Sequence, residues 1–359
     1  MTLSYLINEK GFNSSNITRV MEERNKYSKR GKKRTRLLRR IPLDQLMDLK
    51  IDYAFKQLFG NEKNKEITVV FLNAILQKTG RNRIKDIAFM NTEVNQEYVG
   101  DKQSRLDLLV ITSAGEQINV EIQFTNQYDM IKRSIYYWSK MYSVPLGKGM
   151  AYKELRPVIA INILNFSIFS QTERFHTSYH LYEDEDQFKL TNEMEFHFIE
   201  MKKLMKDWKA DKLDPWNDVL ARWLLLLGMV DSRNDKVYED IYRELEGIAV
   251  KDELMKETFE NWENLSMERE QREAYEGRLK RIMDEEAAKR EAELREQEAE
   301  RKGKREGIQK GIQEGIQEGK QEEREMIARR LLEKGMGVKF VADSTGLDVD
   351  KVNEIQRDI

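Results

Sequence analysis

The stretch Arg105–Phe124, RLDLLVITSAGEQINVEIQF, decides how the chain folds around it. From Gln117 onward, Ile118, Val120, Ile122 and Phe124 fall on one side and Asn119, Glu121 and Gln123 on the other, the period-two alternation of a β-strand. Leu106 to Ile111 is apolar and β-branched apart from Asp107, and the residues from Thr112 to Glu116 carry turn chemistry, so the stretch predicts a hairpin. With the turn centred on Ala114, Ile111 faces Gln117 and Asp107 faces Glu121. Directly opposed side chains of an antiparallel pair have Cβ atoms roughly 4.5–5.5 Å apart. Two carboxylates at that separation repel each other unless one is protonated or a cation sits between them. A cation is the economical resolution, and an all-oxygen pair suits a hard divalent ion, Mg²⁺ or Mn²⁺, better than zinc. The alternative is a solvent-facing carboxylate pair on an edge hairpin.

Outward from the hairpin, the pattern alternates between helix and strand. Ile51, Ala54, Phe55, Leu58 and Phe59 make one helical stripe, and Val70, Phe71, Ala74 and Ile75 another. Residues from Ile84 to Asn91 read as an edge strand. After the hairpin, the segment from Tyr128 to Tyr142 reads as a helix with Ile131, Ile135, Trp138 and Tyr142 on its apolar stripe, ending before Pro145. The run PVIAINILNF is almost continuously apolar, as in a buried parallel strand. Strand, crossover helix and strand make a βαβ-like unit. Residues from Glu195 to Met201 suggest one more strand, and those from Trp216 to Val230 a buried helix.

The chain has 359 residues, enough for a sizeable core with appendages. Charged residues make up 35% and apolar ones 40%, so part of the chain must be extended or solvated rather than packed. No cysteine is present, which excludes disulfides and thiolate metal sites. Without an apolar run of about 18 residues or a signal-peptide core, the expectation is a cytoplasmic protein with no membrane contact.

The net charge of −2 hides local asymmetry. Between Arg19 and Arg40 lie eleven basic residues, Lys32, Lys33 and Arg34 among them, against Glu22 and Glu23, a local charge of +9. Such a run reads either as an arm that attracts nucleic-acid phosphates or as a solvated, disordered segment. All four prolines precede residue 216, so everything later is free to be helical. Ser266 to Glu306 is a mixture of Glu, Lys, Arg and Ala without sustained heptads, which predicts a long solvated helix able to self-associate. The repeat GIQKGIQEGIQEGKQE follows, with Gly307, Gly311, Gly315 and Gly319 in one helical row. Each glycine costs a helix about 0.5–1 kcal/mol relative to alanine, so the expectation is a flexible or self-pairing connector. Residues 324–359 predict short helices with glycine-containing turns, either a helix-turn-helix-like DNA-binding unit or a plain small bundle.

The spacing of Asp107, Glu121 and Gln123 resembles the PD-(D/E)XK nuclease superfamily, with glutamine where lysine is usual. More narrowly, residues 48–260 resemble the Rpn family of recombination-promoting nucleases, also described as PD-(D/E)XK nuclease family transposases. The segments that carry this are DYAFKQLFG, VVFLNAIL, LDLLV with NVEIQ, RSIYYWSKMYS, GMAYKELRPVIAINIL and FHFIEMKKL, and the tail ARRLLEKGM…STGLDVDKV is similar to that family's carboxyl end. The resemblance implies an α/β restriction-endonuclease-like fold, a mixed sheet flanked by helices, with a long C-terminal helical tail. It implies a metal-dependent DNA endonuclease in which Asp107 and Glu121 hold Mg²⁺ or Mn²⁺ and Gln123 orients water. Asp52 matches an acidic position and is implied as a further ligand. Arg133 and Tyr137 match the following helix, where they share a face and either contact phosphate or form a helix-surface pair. The alternative is a protein that keeps the fold but has lost cleavage and serves in DNA binding or assembly. The expected organisation is a basic arm over 1–47, a nuclease-like domain over 48–260, a charged connector over 261–323 and a helical unit over 324–359. The partners expected are DNA and, through the tail, a second copy of the chain.

Overall fold

The computed structural model describes residues 40–91, 93–94, 104–126, 129–147 and 149–359. Lys32, Lys33 and Arg34 lie outside these residues. Two helices come first, α1 (Asp52–Phe59) and α2 (Lys65–Leu76). α1 stops at Gly60, and α2 ends with Gln77 in the left-handed conformation at φ +51°. Phe55 and Phe59 of α1 stack at 4.8 Å, and Phe59 meets Phe71 of α2 at 4.7 Å. Burial of each such ring stabilises the fold by about 1.5–3 kcal/mol. The apolar stripes read from the sequence are the ones buried here.

The strands of the main sheet are β1 (Ile87–Phe89), β2 (Leu108–Thr112), β3 (Gln117–Gln123), β4 (Val158–Leu164), β5 (His176–Tyr179) and β6 (Met194–Glu200). They form one six-stranded mixed sheet in the order β1-β2-β3-β4-β6-β5, with β1 at an edge. β2 and β3 form the hairpin, with Leu108 opposite Val120 and Ile111 opposite Gln117, the register expected for a turn centred on Ala114. Its turn uses Gly115 at φ +85°, a conformation glycine adopts without strain. β3, β4 and β6 run parallel to one another. Every residue of β4 is buried, as its unbroken apolar run requires.

The β3–β4 crossover is helix α3 (Met130–Ser143). Its buried residues are Met130, Ser134 and Met141, whereas Ile131 and Ile135 are nearly half exposed. The expected stripe holds at Trp138 and Tyr142, which pack against Val158 and Leu106, and fails at Ile131 and Ile135. The cause is polar pairing, because Ser134 turns inward to accept from the buried Asn162 amide of β4 at 2.9 Å. α4 (Met201–Lys209), α5 (Val219–Gly228), α6 (Glu239–Ala249) and α7 (Glu253–Met267) follow, and their apolar faces join α1, α2 and one side of the sheet in a single core. Trp223 of α5 closes that core edge-on against Phe59 and Phe71. Arg40, at the end of the basic run, docks on α7, where its backbone amide donates to Glu263 at 2.6 Å.

The chain divides into two compact units at Met283/Asp284, inside the 65-residue helix α8 (Arg269–Glu333). Tyr275 and Ile282 of α8 are buried in the core of the first unit, which therefore reaches beyond residue 260. In the second unit, the end of α8 packs with α9 (Val338–Thr345) and α10 (Val349–Arg357) around Ala328, Leu332, Val341 and Val352. The glycine repeat, expected as a flexible or self-pairing connector, is continuous helix. Helix propagation adds one hydrogen bond per residue, and the intervening Gln, Lys and Glu are good helix formers, which offsets the glycine penalty. Ile308, Ile312 and Ile316 are more than half exposed. No described helix is long and apolar enough to cross a membrane.

Candidate active site

The residue before β2, Asp107, lies where the hairpin register continues to Glu121, and the backbone ties the two together. Ile122 N–H donates to Asp107 Oδ2 at 2.9 Å, and Asp107 N–H donates to Glu121 Oε1 at 3.3 Å. Both side chains are buried, with exposures of 8% and 2%, which removes the reading of a solvent-facing pair. The alternation of β3 puts Glu121 on the face opposite Ile118, Val120 and Ile122, and α3 covers that face. Burial, reinforced by the charge of Asp52, pushes the Asp107 carboxyl up to about 6. Burial and the charge of Asp107 push Glu121 up to about 8. Arg133 opposes both shifts, and Lys56 opposes that of Asp107. Two carboxyl groups are thus tied to neighbouring backbone amides in a place where neither ionises readily.

Arg133 enters from α3. Its Nη2 lies 3.4 Å from Glu121 Oε2, and its guanidinium rests 5.2 Å from the centre of the Tyr137 ring. With the Gln123 amide turned to suit the donors around it, its oxygen accepts from both terminal nitrogens of Arg133 at 3.3 Å. Glu121, Gln123, Arg133 and Tyr137 therefore form one connected cluster, and Arg133 and Tyr137 are more than a pair on a helix surface. Arg133 Nε is buried and has no acceptor among the described residues. A buried N–H without a partner is costly, and an anionic oxygen at the site would satisfy it.

Asp52 stands in the first turn of α1, close enough for its charge to raise Asp107. Its carboxylate is forked by Arg278 of α8, with Nε 2.8 Å from Oδ1 and Nη2 2.8 Å from Oδ2. Oδ1 also accepts from Tyr53 N–H at 3.0 Å. Lys56, one turn after Asp52, donates to Leu106 O at 2.9 Å beside Asp107. Lys56 and Arg278 were not among the residues expected at the site. The i, i+4 spacing of Asp52 and Lys56 was a signal that could have found the first. Nothing local could have found the second, which is 226 residues away from its partner.

No group of three or more His, Cys, Asp or Glu side chains poised around a metal occurs among the described residues. Magnesium, however, is commonly held by one or two carboxylates with water and substrate phosphate completing the shell. A buried, repelling pair of carboxylates fits that requirement. The three histidines lie together elsewhere, at the β5/β6 edge, where His176 and His197 meet at 2.9 Å and Glu195 holds His197 at 2.8 Å. A cleft of about 990 Å³, lined by Val70, Lys78, Arg174, His176 and Leu220 among others, includes none of Asp107, Glu121, Gln123 or Arg133.

The family model for PD-(D/E)XK nuclease family transposases matches residues 49–292, which spans the hairpin, α3, the parallel strands and the start of α8. No curated protein and no solved structure matches the chain.

Proposed function

The chain belongs to the PD-(D/E)XK nuclease family transposases, and from that membership we propose that it is a divalent-metal-dependent endonuclease that hydrolyses DNA phosphodiester bonds at the Asp107–Glu121 pair. The family is one of nucleases, which act on nucleic-acid phosphodiesters and generally use divalent ions. The observation that carries the reading is the buried carboxylate pair, each held by a backbone amide, beside an arginine with an unsatisfied N–H.

Asp107 and Glu121 hold the ion, Mg²⁺ or Mn²⁺, and their orientation is set in advance by the backbone amides of Ile122 and Asp107. When bound, such an ion polarises the scissile phosphate and lowers the pKa of a coordinated water. Arg133 takes the phosphate: its Nε–H is free to donate, and its plane is held by Gln123 on one side and by the Tyr137 ring on another. Gln123 thus positions Arg133 with its oxygen, and its amide group remains able to orient water. The positive charge that lysine brings at the usual motif position comes here from the next helix. The arm with Lys32, Lys33 and Arg34 adds affinity for the DNA backbone, and the tail pairs two chains so that both strands can be cut.

A second reading, a non-cleaving DNA-binding or assembly protein, draws on Gln123 and on the engagement of Asp52 by Arg278. One assay separates the two. Supercoiled plasmid is incubated with the protein with and without Mg²⁺, beside Asp107→Ala. Nicked or linear product that needs both the ion and Asp107 supports the nuclease; equal product from the variant means a contaminant and leaves the binding role.

A further inference from the structure

Asp52 has the charge of a third ligand and sits near the pair, yet both of its oxygens are taken. Oδ1 accepts from Tyr53 N–H and Arg278 Nε, and Oδ2 accepts from Arg278 Nε at 2.9 Å and Nη2 at 2.8 Å. Three N–H groups, one of them shared between both oxygens, thus act on about four lone-pair directions, and the Arg278 cation already offsets the charge that an ion would need. Resting on the metal-site reading above, we propose that Arg278 is a latch that withholds Asp52 from the ion and that a DNA phosphate releases. The guanidinium fork that matches a carboxylate matches a phosphate equally well, so an incoming backbone competes directly for Arg278.

The surroundings make this a side-chain exchange. The base of α8 is anchored: Asp48 N–H donates to the Tyr275 hydroxyl at 3.0 Å, that hydroxyl meets Ser232 Oγ at 2.9 Å, and the Tyr53 hydroxyl donates to Gln271 at 2.6 Å. Gln271, Tyr275 and Arg278 follow the i, i+4, i+7 spacing of one helix face. The latch pair itself is accessible, with side-chain exposures of 33% for Arg278 and 26% for Asp52. Asp107 and Glu121 are buried, so a partner from solvent reaches the latch more easily than the pair. Arrival of the phosphate then supplies an acceptor for Arg278 and frees a third carboxylate for the ion in the same event. The ion binds most tightly when its substrate is present.

Two measurements on the full chain test the latch without reading cleavage. Europium luminescence lifetimes in H₂O and D₂O count the waters on an ion at the site that Asp107→Ala removes. Arg278→Gln is expected to bind Eu³⁺ about tenfold tighter and to lose about one coordinated water, the change for one added charged ligand. Arg278→Gln with Asp52→Asn restores both values. An unchanged water count in Arg278→Gln overturns the latch, since a purely electrostatic effect alters affinity alone. In EDTA, Asp52→Asn removes the carboxylate that competes with phosphate for Arg278, so a labelled duplex binds more tightly with an unchanged salt slope, and the double variant loses that gain. An affinity unchanged in Asp52→Asn also overturns it. Europium binding that Asp107→Ala leaves intact removes the metal-site reading itself, and the latch with it. Binding lost in Asp107→Ala but identical in wild type and Arg278→Gln removes the latch alone. Arg278→Lys, which keeps the charge and loses the fork, serves if the glutamine variant melts early, with an intermediate water count expected.

Discussion

Arg133 Nη2 lies 3.4 Å from Glu121 Oε2 and its terminal nitrogens 3.3 Å from the Gln123 oxygen, so a helix delivers the positive charge to a strand position that carries none. Glutamine hydrogen-bonds but brings no charge. The charge arrives through α3 packing across β3 and β4.

Arg133→Ala is expected to lower cleavage by about 10²–10³-fold, the usual cost of removing one preorganised charged donor. Because Arg133 holds both carboxyls below where burial alone would put them, its loss raises them further. The rising limb of the pH–rate profile therefore moves to higher pH in the variant. A limb that stays in place, with the rate reduced, assigns Arg133 to phosphate binding alone.

Asp107→Ala and Glu121→Ala are each expected to abolish metal-dependent cleavage, and the double variant to lose no more than either alone, since either empties the site. Gln123→Ala is expected to cost about tenfold, the loss of one positioning hydrogen bond. Rates of plasmid nicking under matched metal concentration provide the comparison.

In chelator, the Asp107–Glu121 pair is expected to contribute less stability as pH rises. The folded pKa values of Asp107 and Glu121 lie above the ordinary carboxyl range, so between about 4 and about 8 the folded state holds more protons than the unfolded one. The favourable contribution is complete below the unfolded values and disappears as pH passes the folded ones. Glu121→Gln should therefore raise the melting temperature at pH 8, by about 1–3 kcal/mol of stability, and leave it little changed at pH 4. A difference in melting temperature between wild type and Glu121→Gln that is flat over this window contradicts the buried pair. Added Mg²⁺ should stabilise wild type most at pH 8 and release protons as it binds.

Truncation after residue 292 keeps the whole family match, whereas a cut at 265 would strip Tyr275 and Ile282 from the core. The shortened protein is expected to be monomeric by light scattering, if the exposed Ile308, Ile312 and Ile316 pair two chains. Its plasmid products should shift from linear toward nicked. An unchanged mass would instead make the tail an adaptor for DNA or another protein.

The hairpin was legible because its information is local. Period-two alternation and a short turn dictate register, and register alone places Asp107 against Glu121. The parallel strand β4 was legible for a related reason, since a strand covered on both faces needs an unbroken apolar run. In helix α3 the periodicity holds at Trp138 and Tyr142 and fails in the first two turns. Its polar Ser134 faces the core to meet Asn162, while Ile131 and Ile135 face outward, and periodicity assigns such residues the other way round. The glycine repeat was read from propensity, which neighbours on a long helix can override.

By itself, the sequence determined the strand pair and the opposition of the two carboxylates, because these follow from side-chain period and turn geometry over about twenty residues. Only the tertiary structure decided what surrounds the pair. Arg133 reaches Glu121 across a crossover, and Arg278 reaches Asp52 across 226 residues of chain. Which charges meet at the site depends on how helices dock on a sheet, and docking is set by the summed burial of many apolar side chains rather than by any local pattern.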